Sequence, residues 1–155
     1  MTPYPKILLV PVDGSEGANE AASYAASLAE KLDIPVELLY AFPKDPVDMF
    51  GVPTEAPRAE ELEYFSPDAF AKLREQTAEK AFMATRSAIG ERSVPIEQKI
   101  LSGNPAEAIV AHAKAADAPM IVIGSRGLSG FKEILLGSVS QRVLHHANCP
   151  VTVVR

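Results

Sequence analysis

Apolar residues follow two different periodicities, which alternate along the chain. Some short runs are almost continuously apolar, as expected of strands buried on both faces of a parallel sheet. These runs are residues 6–12, 35–41, 119–123 and 151–154, and residues 94–101 alternate apolar with polar positions, which is typical of an edge strand or of a strand with one wet face. Between the strands, apolar residues recur three and four positions apart and predict amphipathic helices over residues 15–32, 66–89, 104–116 and 138–146.

The alternation of strands and helices predicts an α/β fold in a single domain, residues 1–155. We expect a doubly wound, Rossmann-like parallel sheet of five strands in the order 3-2-1-4-5, with helices on both faces. Strands one and four are then neighbours, although they are far apart in sequence. Their carboxyl ends flank the crevice in which open α/β sheets bind ligands.

Residues 42–65 fit neither periodicity and are expected to form an irregular loop or flap. The segment holds four prolines and the aromatic residues Phe42, Phe50, Tyr64 and Phe65. Connections of this length are usually lids, binding loops or disordered stretches. Two interpretations stay open: the apolar side chains pack locally or at a partner surface, or the segment covers a ligand or forms a dimer contact.

Composition narrows the class of protein. Hydrophobic residues make up 47% of the 155, enough for a core, and the net charge of −5 argues against a nucleic-acid surface. The single cysteine, Cys149, excludes an internal disulfide framework and fits a reducing cytoplasm. No apolar run approaches the ~18 residues of a membrane span, and no signal peptide is evident, so we expect no membrane partner.

Three glycines and a serine form the main candidate motif. Gly124, Gly127, Gly137 and Ser138 have the spacing G-x2-G-x9-G-S between a predicted strand and a helix start. Glycine allows close backbone approach to a ligand, and a helix N-terminus presents free N–H groups to an anion. Alternatively, the glycines form a simple strand-to-helix turn with Ser138 as an ordinary N-cap. Neither of the usual phosphate-binding glycine signatures, Walker A and G-x-G-x-x-G, occurs.

Asp13 is the second candidate, because it follows the first predicted strand. As a turn residue it would simply precede a helix. At the carboxyl end of strand one, however, its carboxylate could accept hydrogen bonds from ribose hydroxyls or from an adenine amino group. The predicted strand order brings Asp13 and the glycine motif to the same edge of the sheet.

The glycine spacing resembles the ATP-binding pattern of the universal stress protein family. Residues 6–15 (KILLVPVDGS), 103–109 (GNPAEAI) and 149–155 (CPVTVVR) are also similar to that family, so the resemblance spans nearly the whole chain. It implies a homodimer formed through strand 151–154. It also implies ATP as the ligand, and a divalent ion, Mg²⁺, bridging the phosphates without protein metal ligands.

The resemblance implies a role for each part of the site. Asp13 and the backbone of Ala41 would hold the nucleoside, while the segment from Gly137 presents N–H groups and serine hydroxyls to the phosphates. Arg126 would either clamp phosphate or point to solvent. The candidate cofactor-binding residues are Pro11, Val12, Asp13, Ala41, Ile123, Gly124, Arg126, Gly127, Gly137, Ser138, Val139 and Ser140.

No catalytic residue is predicted. Nucleotide hydrolysis needs a positioned water, and nothing in the sequence orients Glu133 as a general base. We therefore expect a nucleotide-binding regulator of the stress response, with at most slow ATP hydrolysis. The alternatives are a protein-interaction factor that binds no nucleotide, and a transferase of the ATP-pyrophosphatase-like folds, whose S-G-G-x-D-S loop differs from PVDGSEG here. The three histidines and Cys149 are interpreted as structural or surface residues.

Overall fold

A computed structural model describes residues 4–52, 59–125 and 136–155. Its strands are β1 (Ile7–Pro11), β2 (Val36–Phe42), β3 (Ile96–Ser102), β4 (Pro119–Gly124) and β5 (Val151–Val154). Its helices are α1 (Glu16–Leu32), α2 (Pro46–Phe50), α3 (Ala59–Glu63), α4 (Pro67–Ile89), α5 (Pro105–Ala115) and α6 (Ser138–His146). The strands form one sheet in the order β3-β2-β1-β4-β5, and every neighbouring pair is parallel. The predicted fold is confirmed.

Alternate residues of the central strands supply two separate cores, one on each face of the sheet. On one face, Leu8 and Val10 of β1 pack with the alanines of α1 and with Phe82 of α4. On the other face, Leu9 of β1 packs with residues of α5 and α6, including Val143. Because successive side chains of a strand point to opposite faces, a single apolar run fills both cores.

The alanines of α1 let this helix lie close to the sheet. Ala21, Ala22, Ala25 and Ala29 are fully buried. The helix begins at the predicted cap, where the Ser15 hydroxyl accepts the N–H of Ala18 at 3.2 Å. These small side chains keep the helix backbone near β1 and β4, and this proximity matters at the site described below.

The third strand lies at an edge of the sheet, as its alternating pattern predicts. It begins at Ile96, two residues later than expected. Val94 is buried but outside the strand, and Pro95 between them has no N–H to donate to a ladder. The carbonyl of Pro95 accepts the N–H of Val36, so pairing with β2 starts there.

The segment 42–65 is more regular than predicted, because it contains the short helices α2 and α3. The Asp45 side chain caps α2 by accepting the N–H of Asp48 at 2.7 Å, and Pro46 occupies the first turn. The ring of Phe50 packs on Tyr64 and Phe65, with centroids 6.0 and 6.3 Å apart. Of the two interpretations, local packing of the aromatic residues is therefore observed. Residues 53–58 lie outside the described part.

Within the described ranges, none of the helices combines the length and the apolar character needed to cross a lipid bilayer.

Candidate functional site

A cavity of about 290 Å³ opens at the carboxyl ends of β1, β2 and β4. This is the point at which the strand order reverses, where open α/β sheets bind ligands. All ten candidate residues that the structure describes line the cavity: Pro11, Val12, Asp13, Ala41, Ile123, Gly124, Gly137, Ser138, Val139 and Ser140. The other two candidates, Arg126 and Gly127, lie outside the described residues.

Asp13 is fixed at the cavity by the turn that leads into α1. Its Oδ1 accepts the N–H of Ser15 at 2.9 Å. Gly14 between them has a φ of +83°, which favours glycine. Asp13 is therefore a structural turn residue that also lines the cavity, and its contact with a nucleoside stays a prediction. One oxygen of the Asp13 carboxylate accepts the hydrogen bond of the turn. This bond fixes the orientation of the carboxylate and leaves its second oxygen available.

The first turn of α6 reaches the same cavity. Gly137 is the N-cap residue and provides no side-chain cap, so the interpretation of Ser138 as the N-cap is wrong: Ser138 is the first helical residue. The N–H of Gly137 donates to Ser125 O at 2.6 Å. The N–H groups of Ser138, Val139 and Ser140 belong to the first turn, where no intrahelical acceptor exists. They carry the partial positive charge of the helix end, which favours an anion.

Packing alone requires a glycine at position 124, whether or not a ligand approaches its backbone. A Cβ on Gly124 would lie 2.8 Å from the carbonyl oxygen of Gly17 in α1 and 3.0 Å from its carbonyl carbon. These atoms are backbone and cannot rotate away. The absent side chain at position 124 therefore allows α1 to lie against the end of β4, which positions both walls of the cavity.

Sequence reasoning missed part of the cavity wall. Ser15, Ala18, Leu39, Tyr40, Pro105 and Ile109 also line it. Pro105 follows Gly103-Asn104, which comes directly after the carboxyl end of β3. Tyr40 directly precedes Ala41 near the end of β2, and this position in the sequence could have indicated that Tyr40 lies at the cavity.

The phenol of Tyr40 in the cavity wall has a raised pKa. Its ring packs edge-on against Phe82, with centroids 6.2 Å apart. Burial raises the pKa of the Tyr40 phenol, and the negative charge of Asp13 raises it further. The phenol therefore keeps its proton at neutral pH and remains a hydrogen-bond donor.

No group of three or more metal-ligating side chains occurs among the residues that the structure describes. His112 on α5 instead contacts Glu37 on β2, and both side chains are largely buried. Cys149 is half-buried, and burial raises the pKa of its thiol. These residues therefore tie elements together or fill space and do not line the cavity.

The fold and the cavity place the protein among the doubly wound α/β proteins that have a ligand-sized crevice at the switch point of the sheet. The chain belongs to the universal stress protein family, whose family model matches residues 5–155. The chain is 33% identical to universal stress protein MJ0531 of Methanocaldococcus jannaschii over 150 residues, covering 97% of this chain and 82% of that protein. It is 32% identical to universal stress protein YxiE of Bacillus subtilis, covering 96% and 97% of the two chains.

Solved structures share this fold. The protein MJ0577 superposes with a TM-score of 0.74 at 28% identity, covering 96% of this chain and 94% of that chain. UspA from Lactobacillus plantarum gives a TM-score of 0.67 at 26% identity, covering 99% and 100%. More distant members of the family have been solved in complex with cAMP, at 24% identity, and with dAMP in Archaeoglobus fulgidus, at 23% identity. For those two the likeness is one of fold.

Proposed function

We propose that this chain binds ATP in the cavity at the carboxyl ends of β1, β2 and β4. The observation that carries the proposal is that Asp13 and the uncapped first turn of α6 line one cavity. A carboxylate suits hydroxyl or amino donors, and a helix N-terminus suits phosphate. One cavity that combines the two is complementary to a nucleoside carrying phosphates. The adenine nucleotides bound by more distant family members agree with this choice of ligand.

The order of the strands suggests how the ligand lies. Neighbouring strands are about 4.8 Å apart, so β4, β1 and β2 span about 10 Å along the cavity. Phosphates would lie over β4 and α6, at Ser138 and Val139. The sugar would lie over β1 at Asp13, and the base beyond it against Ala41 and the apolar wall that includes Ile109. Backbone groups of Gly124, and of Arg126 and Gly127 in the undescribed segment, would complete the phosphate end.

A divalent ion would be bound at this wall by the phosphates of the ligand and not by protein side chains. Asp13 is the one carboxylate among the described lining residues, and its turn hydrogen bond to Ser15 already uses one oxygen. Mg²⁺ characteristically binds phosphate oxygens and waters with few protein ligands. When bound, it would neutralise phosphate charge, while Ser138 and its neighbours orient the phosphates.

The proposed role is regulation rather than catalysis. Among the described lining residues, the wall near α6 carries serine hydroxyls and backbone groups and no general base. Without a positioned base, attack of water on the terminal phosphate is not accelerated by proton transfer. ATP would therefore be held, with at most slow hydrolysis, and would report nucleotide level to a partner in the stress response. We also propose that the chain forms a homodimer through the edge strand β5. The proposed location is the reducing cytoplasm, which suits a chain with the single cysteine Cys149.

The experiment is to release and identify any nucleotide carried by the purified chain, and then to titrate the stripped chain with Mg-ATP. Ala41→Leu extends a side chain into the cavity wall and should weaken ATP binding by about tenfold or more, since overpacking costs ~1–3 kcal/mol. Ala111→Leu is the matched control, because Ala111 is exposed on α5 and outside the cavity. The same affinity in both variants would place the ligand elsewhere.

The two alternatives predict different results in the same experiment. A protein-interaction factor would carry no nucleotide and would take none up from Mg-ATP. A transferase would produce ADP, AMP or pyrophosphate at a steady rate when an acceptor is supplied. Stoichiometric ATP that is stable over hours would favour the regulator over both.

A further inference from the structure

Tyr40 is a rigid part of the cavity wall. Its backbone lies within β2, which pairs with β1 on one side and with β3 on the other, where Tyr40 is in register with Ile100. Its ring is held by the edge-on contact with Phe82 across the α4 face. A side chain fixed in this way presents its hydroxyl without the entropy loss that ordering a mobile group would require.

Tyr40 and Asp13 line the same cavity, one as a hydrogen-bond donor and the other as an acceptor. The Tyr40 hydroxyl has no hydrogen-bond partner within the described part of the chain, whereas Asp13 uses only Oδ1, for the Ser15 N–H. The charge of Asp13 acts on the phenol, and with burial it keeps the proton on the oxygen. This part of the wall therefore offers one fixed donor and one fixed carboxylate acceptor.

An alcohol is complementary to such a pair, because a hydroxyl donates one hydrogen bond and accepts others. Asp13 follows β1, and Tyr40 lies near the carboxyl end of the neighbouring β2, the two strands over which the ligand arrangement proposed above puts the sugar and the base. We propose that Tyr40 makes the site selective for nucleotides with an intact ribose: its phenol donates to a ribose hydroxyl oxygen, and that hydroxyl donates to Asp13. This inference rests on the proposed function and assigns the discrimination to one side chain.

The test compares the dissociation constants of ATP, 2′-deoxy-ATP and 3′-deoxy-ATP for the wild-type chain, Tyr40→Phe and Tyr24→Phe. Tyr40→Phe removes only the hydroxyl and keeps the ring that packs on Phe82. Tyr24 is a half-exposed tyrosine of α1 outside the cavity, which makes it the matched control. The wild-type chain should prefer ATP over at least one deoxy analogue by roughly three- to tenfold, the range of one neutral hydrogen bond. Tyr40→Phe should lose that preference, and Tyr24→Phe should keep it.

Two results would overturn the inference while leaving the proposed function intact. One is a wild-type chain that binds ATP and both deoxy analogues equally. The other is a Tyr40→Phe chain that keeps the wild-type preference. A wild-type chain that binds none of the three nucleotides would overturn the proposed function itself, and the inference with it.

Discussion

The hydroxyl of Ser140 donates a buried 2.7 Å hydrogen bond to the backbone carbonyl of Gly124. The bond fastens the first turn of α6 to the end of β4. A serine hydroxyl has one proton, so the Ser140 side chain cannot donate to a phosphate oxygen while this bond exists. The expected phosphate contact of Ser140 is therefore left to its backbone N–H, and the exposed Ser138 is the serine whose hydroxyl is free of this bond.

Ser140→Ala should destabilise the fold. It leaves the carbonyl of Gly124 without its donor in a buried position, which typically costs about 1–3 kcal/mol. The free energy of unfolding, measured by denaturant titration, should fall by that amount. Ser138→Ala is the control, because Ser138 is exposed and should change stability by less than about 0.5 kcal/mol. Equal losses of unfolding free energy in the two variants would mean that the hydrogen bond from Ser140 to Gly124 does not account for the effect.

Gly124→Ala should destabilise the chain even though alanine is tolerated in strands elsewhere. The new Cβ would lie 2.8 Å from the carbonyl oxygen of Gly17, so α1 would have to move away from β4. Overpacking of this kind costs about 1–3 kcal/mol. Differential scanning calorimetry should show a lower midpoint of thermal unfolding, and the NMR chemical shifts of the α1 amides should change. An unchanged midpoint would show that α1 moves without cost.

The stability of the chain should depend on Glu30 in acid. Its carboxylate accepts the backbone N–H of Ser93 at 3.1 Å, the Ser93 hydroxyl at 2.8 Å and the Arg92 guanidinium at 3.0 Å. These contacts, the Ser93 N–H first, lower the pKa of Glu30 from 4.5 to about 2. A carboxyl whose pKa is lower in the folded state adds stability above pH 4.5, and the added stability is lost as the pH falls towards about 2.

Denaturant titrations across that pH range test the contribution of Glu30. Glu30→Gln should unfold more easily than the wild-type chain at neutral pH, and the difference should shrink between pH 4.5 and about 2. Glu20→Gln changes an exposed carboxylate of the same helix outside this network and is the control. A gap between wild type and Glu30→Gln that stays constant over the range would contradict the prediction.

The outward edge of β5 should carry the proposed dimer. The carbonyls of Pro150 and Val154 accept N–H groups from the β4 side of the sheet, so the alternating groups of Val151 and Val153 face outward. Val153→Pro removes one outward N–H and places a ring on the edge, which should leave a monomer. Val153→Ala loses the same packing but keeps the N–H and should still dimerise. Sedimentation velocity distinguishes the two, and a dimeric Val153→Pro would move the interface to another surface.

The strands and long helices could be predicted because their signals are local. The apolar runs of β1 and β4 and the cap and proline at Ser66-Pro67 each lie within one element. The strand order followed from the βαβ alternation and the handedness of crossovers. The helix α2 was missed, although Asp45-Pro46 carries the same cap-and-proline signal as Ser66-Pro67, because the surrounding prolines favoured an irregular loop.

The site could be predicted only where a strand end or a fixed spacing marks it. Asp13 follows from the strand order, Gly124 follows from the glycine spacing, and Ala41, at the end of its strand, was added by the family resemblance. Tyr40 was missed although it directly precedes Ala41 on β2, and Ile109 could not be found in this way, because its place in the wall depends on how α5 packs. The packing role of Gly124 was also hidden, since its close neighbour Gly17 lies in another part of the chain. Whether these residues hold ATP stays a prediction.

The N–H of Ser125 donates to the carbonyl of Val154, at the far end of β5. The last strand thus braces the point at which β4 leaves the sheet, just before the glycine segment begins. During synthesis, the Asp13 turn emerges early, yet this brace forms only after β5 has left the ribosome. A nascent chain that lacks β5 therefore carries an unfinished crevice, and capture of a ligand would mark a chain in which β5 has joined the sheet.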